Sequence, residues 1–103
     1  MTRYAWKGYI YPGKREEYIR RHDEIWPEMT ALLNEAGIHN YSIWNIGEEL
    51  FGYYECDDLP FALKTQAESP VVARWNESME GVMRMELDEK GEQILPEQAF
   101  LHP

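Results

Sequence analysis

The chain is poor in cysteine, in positive charge and in long apolar runs, and each shortage excludes a class of protein. Cys56 is the only cysteine in 103 residues, so we expect no intramolecular disulfide and no thiolate metal site. Lys and Arg number 10 against 19 Asp and Glu, a formal charge of −9. Nucleic acids and anionic membrane surfaces bind clustered positive charge, so we expect neither as a partner.

No apolar run reaches the roughly 18 residues that a membrane-spanning helix needs. The first residues also lack the apolar segment of a secretory signal. With one unpaired cysteine, these features predict a cytoplasmic protein.

Motifs that hold common cofactors are missing as well. The seven glycines are dispersed and form no phosphate-binding loop, and no serine lies in a nucleophile elbow. His39 and His102 stand at no spacing typical of metal ligands. We therefore expect no metal and no cofactor.

Aromatic residues are plentiful: 4 Trp, 7 Tyr and 3 Phe. No repeat, linker or low-complexity tract interrupts the chain, and its length suits a single domain over residues 1–103. Aromatic side chains in such number serve either a core or a ligand pocket.

The spacing of apolar residues changes once in the first half of the chain. Residues 3–11 alternate with a period of two, which predicts a strand ending at a Pro-Gly turn. Apolar residues from Lys14 onward recur every three or four positions, which predicts an amphipathic helix with Gly37 at its C-terminal cap. Since Pro27 removes a backbone donor, we expect this helix to break between residues 23 and 27.

The second half predicts a hairpin, a helical region and a last strand. Residues 39–46 and 50–56 are rich in β-formers and should pair antiparallel. Residues 59–85 return to helical spacing, with a break at Ser69-Pro70. Residues 92–101 form an apolar-rich run that Pro96 limits to an edge or interrupted strand.

This order of strand, helix, strand, strand, helix, strand predicts an α+β fold, the ferredoxin-like split β-α-β sandwich. The helices would cover one face of the sheet and leave the aromatic residues of the other face exposed. We expect a homodimer in which two such faces meet.

The sharpest candidate for chemistry is the pair of Tyr18 and His22, which stand four residues apart and so share a helix face. Imidazole moves protons near neutral pH, and a phenol can orient a substrate. From spacing alone, the alternative is that His22 is a helix-surface histidine or a satisfied core histidine. The neighbouring Glu16/Arg20 and Glu17/Arg21 pairs are predicted to be solvated ion pairs without a chemical role.

Tyr41, Trp75 and Asn76 form a looser candidate set. An aromatic ring suits the C–H face of a sugar, and hydroxyl and amide groups can bind its hydroxyls. The alternative is that Trp75 belongs to the core.

Residues 17–28 contain the pattern Y-x-x-R-H-x-x-x-W-P-E. With residues 37–43, Arg74-Trp75 and the ending Phe100-Leu101-His102-Pro103, this pattern resembles the L-rhamnose mutarotase family over nearly the whole chain. The resemblance implies a dimeric α+β barrel and an isomerase that interconverts the α and β anomers of L-rhamnose, a step of rhamnose and carbohydrate metabolism. It also implies His22 as the catalytic proton donor, with Tyr18, Tyr41 and a Trp-Trp pair binding the sugar.

One position departs from the family pattern: Asn76 stands where the family has the second tryptophan. This change exchanges a stacking ring for an amide, so the sugar could be a related deoxyhexose. Two further readings keep the fold and change the function, since fold alone does not choose among them. They are a cofactor-free monooxygenase-like enzyme and a non-catalytic module that binds a small ligand.

Overall fold

The structure, a computed structural model, describes residues 1–103. Four strands and four helices follow one another along the chain. In chain order they are β1 (Thr2–Ile10), α1 (Arg15–Asp23), α2 (Pro27–Glu35), β2 (Ile38–Ile46), β3 (Glu49–Cys56), α3 (Leu59–Glu68), α4 (Pro70–Ser78) and β4 (Met83–Met85).

The strands form one antiparallel sheet in the order β2-β3-β1-β4. The long strands β1 and β3 pair at its centre, from Thr2 with Cys56 to Tyr9 with Glu49. Each of the two connections that contain helices joins strands that are not neighbours in the sheet. This confirms the predicted α+β class and its ferredoxin-like topology.

Both predicted helix breaks occur, and prolines cause them. Pro27 is the first residue of α2, where a missing N–H costs nothing because no intrahelical acceptor would receive it. Pro70 is likewise the first residue of α4, and the Ser69 hydroxyl accepts from the N–H groups of Val71 and Val72 at 3.2 and 3.3 Å. Gly37, the predicted cap, has a φ of +74°, which lies in the left-handed region that favours glycine at the end of a helix.

The prediction was wrong at the end of the chain. The helical region stops at Ser78, and the fourth strand is Met83–Met85, not residues 92–101. Gly81, with a φ of +78°, reverses the chain between the two. A three-residue strand is too short to show a period, and its apolar residues continue the helical spacing of α4 by coincidence. Beyond it, only Leu87 and Gln93 form an isolated bridge.

The helices cover the face of the sheet that carries the even-numbered residues of β1 and β3. Two clusters of buried residues lie there, Trp6, Ile10, Tyr18, Leu50, Met79 and Val82 in one, and Ala36, Ile38, Tyr54, Cys56 and Ala62 in the other. Gly52 pairs with Trp6 across the strands, and a Cβ at Gly52 would overlap the indole. The missing side chain is therefore what makes room for Trp6.

No helix covers the opposite face of the sheet. Aromatic and aliphatic side chains point outward there, among them Tyr9, Phe51 and Tyr53, and on the edge strand β2 Trp44 and Ile46 are 69% and 70% exposed. No helix has the length and apolar character needed to cross a membrane.

Candidate functional site

A cavity of about 980 Å³ lies between the helices and the sheet. Side chains from both buried clusters line it, and most of them are apolar. All five residues predicted from the sequence line this one cavity: Tyr18, His22, Tyr41, Trp75 and Asn76. The structure thus brings together residues from α1, β2 and α4.

His22 lies between two aromatic rings in the wall of the cavity. Its ring centroid is 4.3 Å from that of Tyr18, with the planes tilted by 35°. On the other side, the ring of Trp75 lies at 5.3 Å and is perpendicular to the imidazole. His22 is therefore half-buried in the wall of this cavity.

The hydrogen bonding of His22 fixes its neutral tautomer. Nδ1 lies 2.9 Å from the backbone oxygen of Tyr18. Because a carbonyl only accepts, Nδ1 carries the proton and the neutral ring presents a bare Nε2. Nε2 has no hydrogen-bond partner in the protein, so it remains available to a ligand in the cavity.

Burial lowers the pKa of His22 below its ordinary value of 6.5, since the low-dielectric wall disfavours the imidazolium. The carbonyl of Tyr18 and the carboxylate of Asp23 oppose this shift in pKa. The neutral form predominates at pH 7, and the imidazole can accept a proton there.

The hydroxyl of Tyr18 is the one buried side-chain polar atom without a hydrogen-bond partner. Tyr18 is only 4% exposed, and burial raises the pKa of its phenol, with a smaller contribution from Tyr41. The phenol therefore keeps its proton. Leaving such a group unpaired costs about 1–3 kcal/mol, which points to a polar ligand that supplies the missing partner.

Tyr41 reaches the cavity because β2 contains an irregularity. The pairing of β2 with β3 shifts between His39 and Ser42, and Asn40 has a φ of +50°. This bulge turns Tyr41 toward the helices, where its hydroxyl accepts a hydrogen bond of 2.9 Å from Trp6 Nε1. Tyr41 is 37% exposed, but desolvation around its hydroxyl raises the pKa of the phenol, so the hydroxyl retains a proton to donate.

Trp75 and Asn76 come from the last turns of α4. The indole of Trp75 packs edge-on against Trp26 at 5.2 Å as well as against His22. Trp75 is half-buried, whereas Asn76 is exposed at the cavity wall. Trp75 therefore belongs both to the packing of the helices and to the lining of the cavity.

Sequence reasoning missed several lining residues. Trp6 donates to Tyr41, and Tyr54 stacks on Tyr4 at 4.8 Å and contacts the ring of Tyr41 at 5.1 Å. Gln66 lies 3.4 Å from the hydroxyl of Tyr54. The period of β1 already predicts that Tyr4 and Trp6 share one face. No pattern in the nearby sequence, however, indicates which distant residues they contact.

The polar groups around the cavity are phenols, one imidazole and amides, together with the guanidinium of Arg15 and the carboxylate of Asp23. No group of three or more His, Cys, Asp or Glu side chains is arranged to hold a metal ion. These groups can bind the hydroxyls of a neutral ligand and move one proton.

The sheet order and the cavity between its layers define a ferredoxin-like α+β protein with one aromatic-lined site. The crystal structure of the L-rhamnose mutarotase from Formosa agariphila matches this fold with a TM-score of 0.81 over 100% of both chains, at 24% sequence identity. This likeness concerns the fold.

The sequence model of the L-rhamnose mutarotase family matches residues 3–100. The L-rhamnose mutarotase of Oceanobacillus iheyensis is 43% identical over 88 residues, which cover 81% of this chain and 84% of that protein. That of Bacillus subtilis is 40% identical over 91 residues, covering 85% and 86%. The chain belongs to the L-rhamnose mutarotase family, which confirms the resemblance drawn from its motif.

Proposed function

We propose that this protein is an isomerase that interconverts the α and β anomers of L-rhamnose or a closely related deoxyhexose. The observation that carries this proposal is that Tyr18 has an unpaired hydroxyl and His22 an open Nε2, and that their rings lie 4.3 Å apart in the lining of one cavity. A hydroxyl-rich ligand satisfies both groups at once. Membership of the family supplies the reaction and the sugar.

His22 carries the proton in this mechanism. Neutral Nε2 accepts the proton of the anomeric hydroxyl while the bond between C1 and the ring oxygen breaks and C1 becomes a carbonyl. The imidazolium then donates that proton to the departing ring oxygen, which leaves an open-chain aldehyde and a neutral His22. Rotation about the C1–C2 bond and reversal of these steps on the other carbonyl face give the second anomer.

The hydroxyls of Tyr18 and Tyr41 hold the sugar during these steps. Both phenols keep their protons because burial raises their pKa values, so each can donate a hydrogen bond to a sugar oxygen. The indole of Trp75 offers an apolar surface for the C–H face of the ring. The amide of Asn76 adds hydrogen-bonding capacity where the family pattern has a second ring.

The rate acceleration required of such an enzyme is modest. Sugars exchange anomers unaided in water, and a positioned acid–base group contributes about 10²–10⁴-fold. One imidazole in a shaped cavity is enough to supply that acceleration.

The direct test is an anomer-exchange measurement by NMR saturation transfer with L-rhamnose, L-fucose and related hexoses. The proposal predicts faster exchange of L-rhamnose at substoichiometric protein. A sugar-binding module without catalysis would leave the exchange rate unchanged at that ratio. Haem absorbance on titration, or oxygen uptake with a quinol, would instead support an enzyme of the monooxygenase-like class.

We also propose that the protein acts as a homodimer joined through the uncovered face of the sheet. The exposed side chains of Trp44 and Ile46 support this, because a surface of this kind is normally buried against a partner. Lys7 and Glu49 lie 3.1 Å apart on this face, so the two charges compensate each other when the face is covered.

For its location we propose the cytoplasm. The single thiol, Cys56, is fully buried and unpaired, which fits a reducing compartment. Cell fractionation with antibody detection tests this, and recovery of the protein outside the cell would contradict it.

A further inference from the structure

The side chain of Arg21 joins the helix that carries His22 to the helix that carries Trp75. Its Nη1 donates to the backbone oxygen of Ser78, the last residue of α4, and its Nη2 donates to Glu17 Oε1 at 2.8 Å. The sequence predicts Glu17/Arg21 to be a solvated surface pair. The pair forms, but the side chains of Glu17 and Arg21 are only 28% and 31% exposed, and Arg21 also bonds to a second helix.

The neighbouring Arg20 lies in a contrasting environment. It does not pair with Glu16, as its spacing predicts, but with Glu24 at 3.4 Å, and the two side chains are 61% and 66% exposed. Arg20 contacts no other helix through its hydrogen bonds. Both arginines thus form an ion pair within α1, but only Arg21 also donates a hydrogen bond to α4.

The backbone oxygen of Ser78 needs a hydrogen-bond donor from outside its own helix. The last carbonyls of a helix have no intrahelical donor, and no backbone N–H donates to Ser78 O. A guanidinium satisfies this carbonyl and also complements the partial negative charge of the helix C-terminus. Glu17 fixes the direction of the guanidinium through its second nitrogen.

The turn that Arg21 holds is the one that carries the candidate sugar contacts. The hydroxyl of Ser78 donates to the backbone oxygen of Trp75 at 2.7 Å, which ties the two residues together. The indole of Trp75 then meets His22 edge-on at 5.3 Å. Since Arg21 and His22 are consecutive in α1, the bond to Ser78 O sets the distance between His22 and the end of α4.

We propose that Arg21, oriented by Glu17, is a positioning residue for the anomer exchange, which places Trp75 and Asn76 at the correct distance from His22. This inference rests on the proposed function. Arg21 does not line the cavity and acts through the two residues on α4. A shift of these contacts by a fraction of an ångström weakens the hold on the sugar while His22 stays in its own helix.

The test compares Arg21→Met with Arg20→Met, which removes the same charge one position earlier. We expect kcat/KM for L-rhamnose to fall at least about tenfold in Arg21→Met, with most of the loss in KM, since misplaced contacts of this kind cost up to about a hundredfold. Arg20→Met should stay within about twofold of the wild type. A purely structural role would lower the melting temperature of Arg21→Met and leave KM unchanged well below that temperature.

A second readout does not depend on catalysis. The indole N–H resonance of Trp75, assigned by its loss in Trp75→Phe, should shift in sugar-free Arg21→Met and not in Arg20→Met. If the wild type fails to exchange anomers, the proposed function fails, yet this shift still reports whether Arg21 positions Trp75.

Arg21→Lys keeps the inference testable if the methionine variant does not fold. An ammonium group lacks the fork that reaches two acceptors at once, so we expect an intermediate KM. The inference is overturned if a folded Arg21→Met has the wild-type KM and an unshifted Trp75 resonance. It is equally overturned if Arg21→Lys is indistinguishable from the wild type in both.

Discussion

The indole of Trp75 meets the imidazole of His22 edge-on, with the ring centroids 5.3 Å apart and the planes at 90°. This contact joins α4 to α1 at the wall of the cavity. It means that the residue proposed to stack on the sugar also packs against the proposed proton carrier. Changes that move one of the two rings should therefore affect both binding and rate.

The hydroxyl of Tyr18 should show a trade-off between stability and activity. Tyr18→Phe removes a buried group that has no partner in the free protein, so thermal unfolding should show unchanged stability or a gain of up to about 1 kcal/mol. The same change removes a hydrogen bond to the sugar, and kcat/KM should fall about tenfold. Tyr11→Phe, at an exposed tyrosine, serves as the control. Reduced stability with normal exchange would contradict the assignment.

The pH dependence of exchange should follow the neutral form of His22. Burial lowers the pKa of this imidazole, so acidification converts it to the inactive imidazolium only below its ordinary value of 6.5. After subtraction of the rate without protein, kcat/KM should be level near neutral pH and fall only as the pH drops below 6.5. A rate that rises on acidification would show that the imidazolium is the active form.

Asn76 should influence the affinity for the sugar. Asn76→Trp restores the aromatic ring of the family pattern at the cavity wall, and we expect tighter binding of L-rhamnose because the ring buries apolar surface of the sugar. Calorimetric titration measures this. Glu77→Trp, one residue further along α4 and outside the cavity lining, is the control. Equal affinities for the wild type and Asn76→Trp would place Asn76 outside the binding site.

The oligomeric state tests the uncovered face of the sheet. Light scattering at micromolar concentration should give twice the chain mass of 12.2 kDa. Trp44→Glu places a charge on the proposed interface and should shift the mass toward the monomer, whereas Lys64→Glu, on α3 away from this face, should not. A wild-type mass of 12.2 kDa under these conditions would contradict the dimer.

The sequence predicted those parts of the fold that have a local signal. The alternation of β1, the prolines at residues 27 and 70 and the capping glycine at residue 37 each act on their own neighbourhood. The prediction of the last strand was wrong because a strand of three residues is too short to show a hydrophobic period. Its position depends on pairing with Gly8, Tyr9 and Ile10, which are distant in the chain.

The candidate site was predictable where one helix carries it. The spacing of Tyr18 and His22 alone indicates that they share a face. The bond from Trp6 to Tyr41 and the bond from Arg21 to Ser78 join residues 35 and 57 positions apart. Such contacts follow from tertiary packing, and the pattern of Glu17 and Arg21 by itself indicates only a surface pair.

The proton-carrying role of His22 is tested most directly by anomer exchange of L-rhamnose, measured by NMR saturation transfer with the wild type and with His22→Ala. His102→Ala, at an exposed histidine of the tail, is the control. We expect the wild type and the control to accelerate exchange equally and His22→Ala to lose most of an acceleration of about 10²–10⁴-fold while remaining folded. Exchange at the wild-type rate in a folded His22→Ala would show that His22 does not carry the proton.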